Sequence, residues 1–358
     1  MEHRVDPWLV LAVVSVLAAS AATLHALGPA VGQGLLTRQL IWGSLGLGLI
    51  WLLSRVRPDS WERLGPLLYG IGLVLLAAVL QLGAVRSGTR GWFSLGPLTV
   101  QPSEFARLGT MLMVATWLSR RTTRNLSVRD LGTVSALVGA SMALILLQPD
   151  LGVALTYLPL LGAALWLGGV PRWTWVVLLV VGLVVAVGAW HSLLKPYQKE
   201  RVLTLLDSER DPYGAGYQVR QSKIAVGAGG VAGQGLGRGS QSLLRFLPAQ
   251  QTDFAFAAWA EATGFVGSTG LLLAYALLLY RLGLAATLSE SRYGIAFLTL
   301  TIAWLAFQVI VNLGMVLGCL PTTGITLPLF SYGGSSLLST CATIGVAQSV
   351  WRHRLVNQ

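Results

Sequence analysis

Charge is what this chain has least of. Asp, Glu, Lys and Arg make up 11% of its 358 residues, against about 25% in an ordinary soluble domain. Cysteine is scarce too. Cys319 and Cys341 stand apart, with no CxxC and no zinc-ligand spacing, and they read as small apolar packing residues. Strands alternating apolar-out and polar-in are missing, which excludes a transmembrane barrel. So is the nucleotide-loop signature GxxxxGK(S/T): the run 227–239, GAGGVAGQGLGRG, has glycines at suggestive spacing but follows no strand. Tight turns or close backbone approach are the simpler use of such glycines. Acidic residues are outnumbered, 14 against 25 basic, for a net charge of +11. In a soluble chain that excess suggests nucleic acid. Here the basic residues cluster in loops flanking apolar runs, so membrane topology explains them and no nucleic-acid partner is implied.

Apolar sequence is abundant, at 54%, and it recurs in windows of about 17–25 residues, enough to cross a hydrocarbon core roughly 30 Å thick. These windows predict an all-α polytopic membrane protein, one integral membrane unit over 1–358. About ten transmembrane helices fall near 8–27, 39–54, 64–83, 104–119, 131–147, 151–169, 172–190, 254–281, 293–318 and 333–351. The first is longer than a signal-peptide core and has Glu2 and Asp6 beside Arg4, so it reads as a retained span. Many of the 13 tryptophans, among them Trp8, Trp173, Trp175, Trp190 and Trp351, lie at span ends, where interfacial anchors belong.

Orientation follows from the basic residues of the short loops. Arg4, Arg55, Arg57, Arg63, Arg120, Arg121, Arg124, Arg129, Arg172, Arg281, Arg292, Arg352 and Arg354 fall on one side. The other short loops hold Arg38, Arg86 and Arg90, with Arg107 just inside a span. Both termini are therefore expected in the cytoplasm. The long polar segment 191–253, between the seventh and eighth spans, is expected outside. It carries eight of the basic residues and five acidic ones. Within it, 195–206 and 218–226 read as short amphipathic helices, with a turn cluster at 209–217 between them. Its cations, Lys223 and Arg201 among them, suit a phosphate-bearing lipid headgroup or ordinary anionic lipid. An outer site has no cytoplasmic ATP, so its energy must arrive with the substrate.

Four further places carry chemistry. In the outer loop 84–103 and the helix behind it, Ser103 or Gln101 can cap the helix, Pro102 suits its first turn, and Glu104 complements its N-terminus. Glu104 and Arg107, three apart, share a face. They read either as a dipole-favourable Glu with a snorkelling Arg or as a functional ionisable pair. Gln148-Pro149-Asp150-Leu151-Gly152 is a tight outer turn in which Asp150 can cap the next helix. Asp253 stands where the polar segment returns to the bilayer. It is either an N-cap, shared with Thr252, or a carboxylate that partial desolvation tunes towards a general base. Finally, 312–336 has two prolines and several glycines after a span, predicting an ordered re-entrant or tightly folded outer segment that serves either as packing or as a wall of an outer cavity.

Five stretches together resemble the SEDS family (shape, elongation, division and sporulation) of bacterial cell-wall proteins: GWFSLGPLTVQPSEFARL (91–108), QPDLG (148–152), DPYGAGYQVRQSKIAVGAGG (211–230), LPAQQTDFAFAAWAEATGFVG (247–267) and NLGMVLGCLPTTGITLPLFSYGGSS (312–336). The likeness covers nearly the whole chain, and the third stretch looks more like the elongation branch than the division branch. It implies a plasma-membrane peptidoglycan glycosyltransferase polymerising lipid II at the outer face, with a class B penicillin-binding protein as transpeptidase partner beside other elongation-complex proteins. The aspartate of the family's TDF motif falls on Asp253 and the glutamate of QPSE on Glu104. Two departures are Gln251, where many members carry His, and Arg107, where many carry Lys.

That chemistry needs a carboxylate to take the proton of a sugar 4-hydroxyl and positive charge to stabilise a departing lipid pyrophosphate. Asp253 is the expected base. Arg107, Lys223, Arg90 and Arg201, in that order, are the expected pyrophosphate or headgroup contacts. A divalent cation, magnesium or manganese, bridging pyrophosphate to carboxylates such as Glu104 is compatible with the sequence, though no ligand cluster fixes it. Two rival functions remain, a lipid II flippase and a non-catalytic scaffold. A coupled transporter places ionisable groups near mid-membrane. Here the mid-span positions are apolar, with Gln308 and Asn312 the main polar exceptions.

Overall fold

The computed structural model describes residues 5–32, 34–86, 88–96, 98–121, 126–192, 194–206, 211 and 214–354. Arg4 and Arg124 of the basic side lie outside the described residues, as do positions 209, 210, 212 and 213 of the turn cluster. Helices dominate. In chain order they are α1 (Pro7–Val31), α2 (Gly34–Leu53), α3 (Pro58–Leu82), α4 (Pro102–Ser119), α5 (Val128–Leu147), α6 (Leu151–Leu155), α7 (Leu158–Leu167), α8 (Arg172–Ser192), α9 (Pro196–Leu206), α10 (Ala215–Gly229), α11 (Ser240–Leu243), α12 (Ala255–Leu288), α13 (Arg292–Val316) and α14 (Gly334–Arg352).

Seven of them, α1, α2, α3, α5, α8, α12 and α13, are long and apolar enough to cross a membrane. The protein is a multi-pass membrane protein. The expected spans at 104–119 and 333–351 coincide with α4 and α14, and that at 151–169 is the broken pair α6 and α7, whose apolar stretch is shorter. Helix starts follow local chemistry. Proline opens α1, α3 and α4, where its missing N–H costs no helix bond. Ser127 and Asp130 form a reciprocal capping box on α5, and the Ser291 hydroxyl accepts from the Gly294 amide to cap α13.

The chain is not all-α. The segment after α3 folds as an antiparallel sheet, β1 (Ala84–Arg86), β2 (Thr89–Leu95) and β3 (Leu98–Val100), in the order β1-β2-β3. Pairing runs Ala84 to Trp92 and Phe93 to Val100, and Gly96 enters the second hairpin turn with φ 62°. Positive φ at the first turn position is what a short hairpin needs.

Packing between helices relies on small residues, since lipid offers little hydrophobic drive between spans. On α3 a side chain at Gly72 would come within 3.0 Å of the Ala106 Cα on α4. Helix α13 buries Trp304, Phe297 and Leu298 and packs chiefly against α12, α4 and α7. Helix α8 stands off this core: Thr174 is its one buried residue among those described. Cys341 is buried as expected, but Cys319 is exposed, so it does not serve as core packing.

The two ends of the bundle differ. At one, Arg281 pairs with Asp6 at 2.7 Å, Gln348 exchanges two hydrogen bonds with the Asp6 main chain, and Arg292 donates to the Arg121 carbonyl. At the other lie the starts of α4, α6, α12 and α14 and the end of α13. That second end holds the candidate site.

Candidate active site

Helix α4 begins directly after β3, which puts Glu104 and Arg107 one turn inside the bundle. They pair, and both are buried, at 5% and 2% exposure. Ser339 of α14 donates its hydroxyl to Glu104 at 3.2 Å, and the Arg107 guanidinium lies 4.3 Å from the centre of the Trp304 ring on α13. The pair is thus enclosed by three helices, and Arg107 does not snorkel. Gln101 occupies the cap position of α4, but its side chain makes no cap bond and turns to Asp150, to which its amide donates at 3.4 Å. The Ser103 hydroxyl has no partner among the described residues, so neither of the expected caps operates.

Asp150 does cap. Its Oδ1 accepts from the Val153 amide at 3.1 Å at the start of α6. Burial pushes its carboxyl up, the Val153 bond pulls it down, the Glu104 charge raises it, Arg201 lowers it and Asp253 raises it. Three acidic side chains and one guanidinium from four separate segments therefore share one electrostatic neighbourhood.

Asp253 is at its open edge, partly exposed. The cap reading fails for it: α12 starts at Ala255 with Phe254 in the cap position and no side-chain cap bond. Burial raises the Asp253 carboxyl, while a bond from Thr252 and the Arg201 charge lower it. Across the opening stands Gly324, at φ +74°, where a Cβ would lie 3.7 Å from Asp253 Oδ2 and 4.0 Å from Arg201 Nη1. The 317–333 segment is ordered, as its prolines and glycines predicted. The Ser331 hydroxyl donates to the Thr252 carbonyl at 2.6 Å, the Tyr332 amide donates to the Gln251 carbonyl at 2.8 Å, and the Tyr275 hydroxyl donates to the Pro328 carbonyl at 2.5 Å.

The polar segment forms short helices where expected. Helix α9 carries exposed Arg201 to the two aspartates. Lys223, on α10, instead lies against Gly318 at the end of α13, so close that a Cβ there would meet its Cε. Arg90, on β2, is exposed, with its guanidinium donating to the Leu80 carbonyl at 3.3 Å and its main-chain amide to the Gln148 carbonyl at 3.3 Å. Of the four expected cations, then, the one ranked last is the one whose charge reaches Asp253. Asp150, read mainly as turn chemistry, belongs to the same cluster. Its signal was the Gln148-Pro149-Asp150 turn facing the Glu104 helix, which spacing alone does not reveal.

The glycine run is a close-approach surface. Helix α12 breaks at Gly264 (φ 66°), and the Phe265 and Val266 amides donate to the Gly230 and Val231 carbonyls at 2.8 and 3.1 Å. A Cβ on Gly233 would fall 2.3 Å from the Ala262 carbonyl. Glu261, 1% exposed, accepts from the Gln241 and Ser242 amides at 2.8 and 3.1 Å and clamps the segment down. No phosphate cradle is left there. Among the described residues no group of three or more His, Cys, Asp or Glu side chains is placed to hold a metal ion.

The geometry and the motifs converge on one class: the chain belongs to the FtsW, RodA and SpoVE family of cell cycle proteins, whose family pattern matches residues 4–355. The peptidoglycan glycosyltransferase MrdB of Escherichia coli K12 is 37% identical over 355 residues, covering 98% of this chain and 94% of that protein. Stage V sporulation protein E of Bacillus subtilis is 37% identical over 320 residues, covering 88% and 86%. Among solved structures, the rod shape determining protein RodA of Thermus thermophilus is 35% identical, covers 98% of each chain and superposes with a TM-score of 0.74. A chain of a peptidoglycan synthase complex that coordinates polymerization and crosslinking is 39% identical, with 98% of each chain covered and a TM-score of 0.84.

Proposed function

We propose that this protein is a peptidoglycan glycosyltransferase of cell elongation, polymerising lipid II at the outer face of the plasma membrane beside a class B penicillin-binding protein. On this reading the chain crosses the membrane ten times, counting α4, the α6–α7 pair and α14 with the seven apolar helices. Both termini are cytoplasmic, and 191–253 is the large outer segment. The gathering of Arg121, Arg281 and Arg292 at the Asp6 end supports that orientation.

The observation that carries the reaction is the state of Asp253: a carboxylate released from helix capping, beside a guanidinium, at an opening lined by a residue with no side chain. The 4-hydroxyl oxygen of an acceptor sugar attacks the anomeric carbon of the donor while the bond to the lipid pyrophosphate breaks. The hydroxyl proton passes to Asp253, and the bonding electrons leave with the pyrophosphate. One displacement turns an α-linked donor into a β-linked product. Arg201 stabilises the negative charge of the leaving group. Lys223 and Arg90 bind the headgroup further out. Asp150 holds the Gln101 turn and keeps the site's charge in balance with Arg201, while the Glu104–Arg107 pair fixes the floor.

Labelled lipid II given to the purified complex with its transpeptidase partner tests this. The parent is expected to make glycan polymer and Asp253→Ala none, with partner binding unchanged; polymer from Asp253→Ala removes Asp253 from the mechanism. The flippase reading loses support from its own two residues, because the amides of Gln308 and Asn312 donate to main-chain carbonyls. Transfer of lipid II across vesicles without polymer would restore it.

A further inference from the structure

Asn312 lies deep in the bundle on α13, with 0% exposure. Its amide nitrogen donates twice, to the Asp253 carbonyl at 2.9 Å and to the Ile325 carbonyl at 2.7 Å. Both hydrogens of one group are therefore spent on two chain segments that meet nowhere in sequence. One is the turn that carries the carboxylate; the other is the residue after Gly324, which faces that carboxylate. Its Oδ1 is buried with no partner among the described residues. A buried acceptor left unpaired works against stability, so a residue that served folding alone gains little from being an amide here.

We infer that Asn312 is a positioning residue: it sets the gap between the Asp253 carboxylate and the Gly324 wall that the acceptor hydroxyl must enter. This rests on Asp253 acting as the base. The neighbouring amide gives an internal comparison. Gln308, one turn earlier on α13, donates to the Thr326 carbonyl at 3.0 Å, and its oxygen is likewise unpartnered. It holds the same segment but makes no hydrogen bond to the Asp253 turn among the described residues. Two similar amides thus differ in one respect, contact with the residue that does the chemistry.

The experiment compares Asn312→Leu and Gln308→Leu in the full chain bound to its transpeptidase partner, with Asp253→Ala as control. Lipid II polymerisation is followed for kcat and KM over a range of pH, and thermal stability of each complex is measured. A misplacement of about 1 Å costs on the order of 10²-fold in rate. Asn312→Leu is expected to lower kcat by roughly that factor, with KM for lipid II within about threefold and Tm close to that of Gln308→Leu. Its acid limb should move to lower pH, because a loosened turn hydrates the carboxylate. Gln308→Leu should keep most of its kcat and the parent pH profile. Equal kcat losses in the two variants, an unmoved acid limb, or failure of Asn312→Leu to assemble while Gln308→Leu assembles would each overturn the assignment. If Asp253→Ala itself still polymerises, the base reading has failed instead.

Discussion

The hydroxyl of Ser339 on α14 donates to the Glu104 carboxylate on α4 across 235 positions of sequence. Glu104 is at the same time paired with Arg107, whose guanidinium faces the Trp304 ring, so four side chains from three helices close one buried polar knot. Its members are oriented before any substrate arrives, and the site above inherits that rigidity.

Breaking the knot on one side is costly. Removing one partner of a buried ion pair leaves an uncompensated charge, worth roughly 3–5 kcal/mol. Arg107→Met is expected to lower the Tm of the purified complex by that amount of stability. The double variant Glu104→Gln with Arg107→Met should recover part of it. Equal Tm values for the single variant and the parent would show that the pair contributes nothing.

The Asp253 carboxyl is held above its ordinary value by burial, and a base must be ionised to accept a proton. Polymerisation should therefore fall as pH drops through a value above the usual aspartate pKa of about 3.9. The linkage runs the other way for stability. A carboxyl with a raised folded pKa binds more protons folded than unfolded, so its contribution is present below the unfolded pKa and lost as pH rises through the folded one. Asp253→Asn should abolish polymer and raise Tm at neutral pH relative to the parent, with the two Tm curves converging in acid. A Tm difference that grows towards acid would contradict this.

Arg201 lowers both Asp150 and Asp253. Arg201→Gln should cost roughly 10²-fold in kcat through loss of leaving-group stabilisation, and it should move the acid limb to higher pH. Lys223→Gln and Arg90→Gln should mainly raise KM and leave the limb in place. A pH profile unchanged by Arg201→Gln separates that guanidinium from the base.

Gly264 joins the kink of α12 to the glycine run, and a Cβ there would sit 2.3 Å from the Gly233 nitrogen. Gly264→Ala is expected to destabilise by about 1–3 kcal/mol and to free the 230–242 segment. Faster amide exchange at Phe265 and Val266, whose amides bond the run, is the measurement. Parent-like protection there would place the strain elsewhere.

Much of this was legible. The apolar windows located the helices, though not their ends, as 64–83 against Pro58–Leu82 and 254–281 against Ala255–Leu288 show, because a helix that must satisfy its backbone in lipid declares itself by length and composition. Glu104 and Arg107 at i and i+3 were readable as a pair, and the 227–239 glycines as close approach. The sheet at 84–100 was not, since its strands are short and it gains order by packing on α3, α4 and α14. Nor was the fate of Asp253, because N-cap and free carboxylate have the same local sequence and differ only in where α12 begins.

Sequence by itself settled the solvent: so few charges and so many long apolar runs leave a bundle in a bilayer as the outcome, with charged residues gathered towards its ends. Tertiary structure alone decided which of those end residues meet. Asp150, Asp253, Arg201 and Gly324 come from four segments with no shared periodicity, and they converge because buried amides and hydroxyls must find main-chain carbonyls that lie far away along the chain.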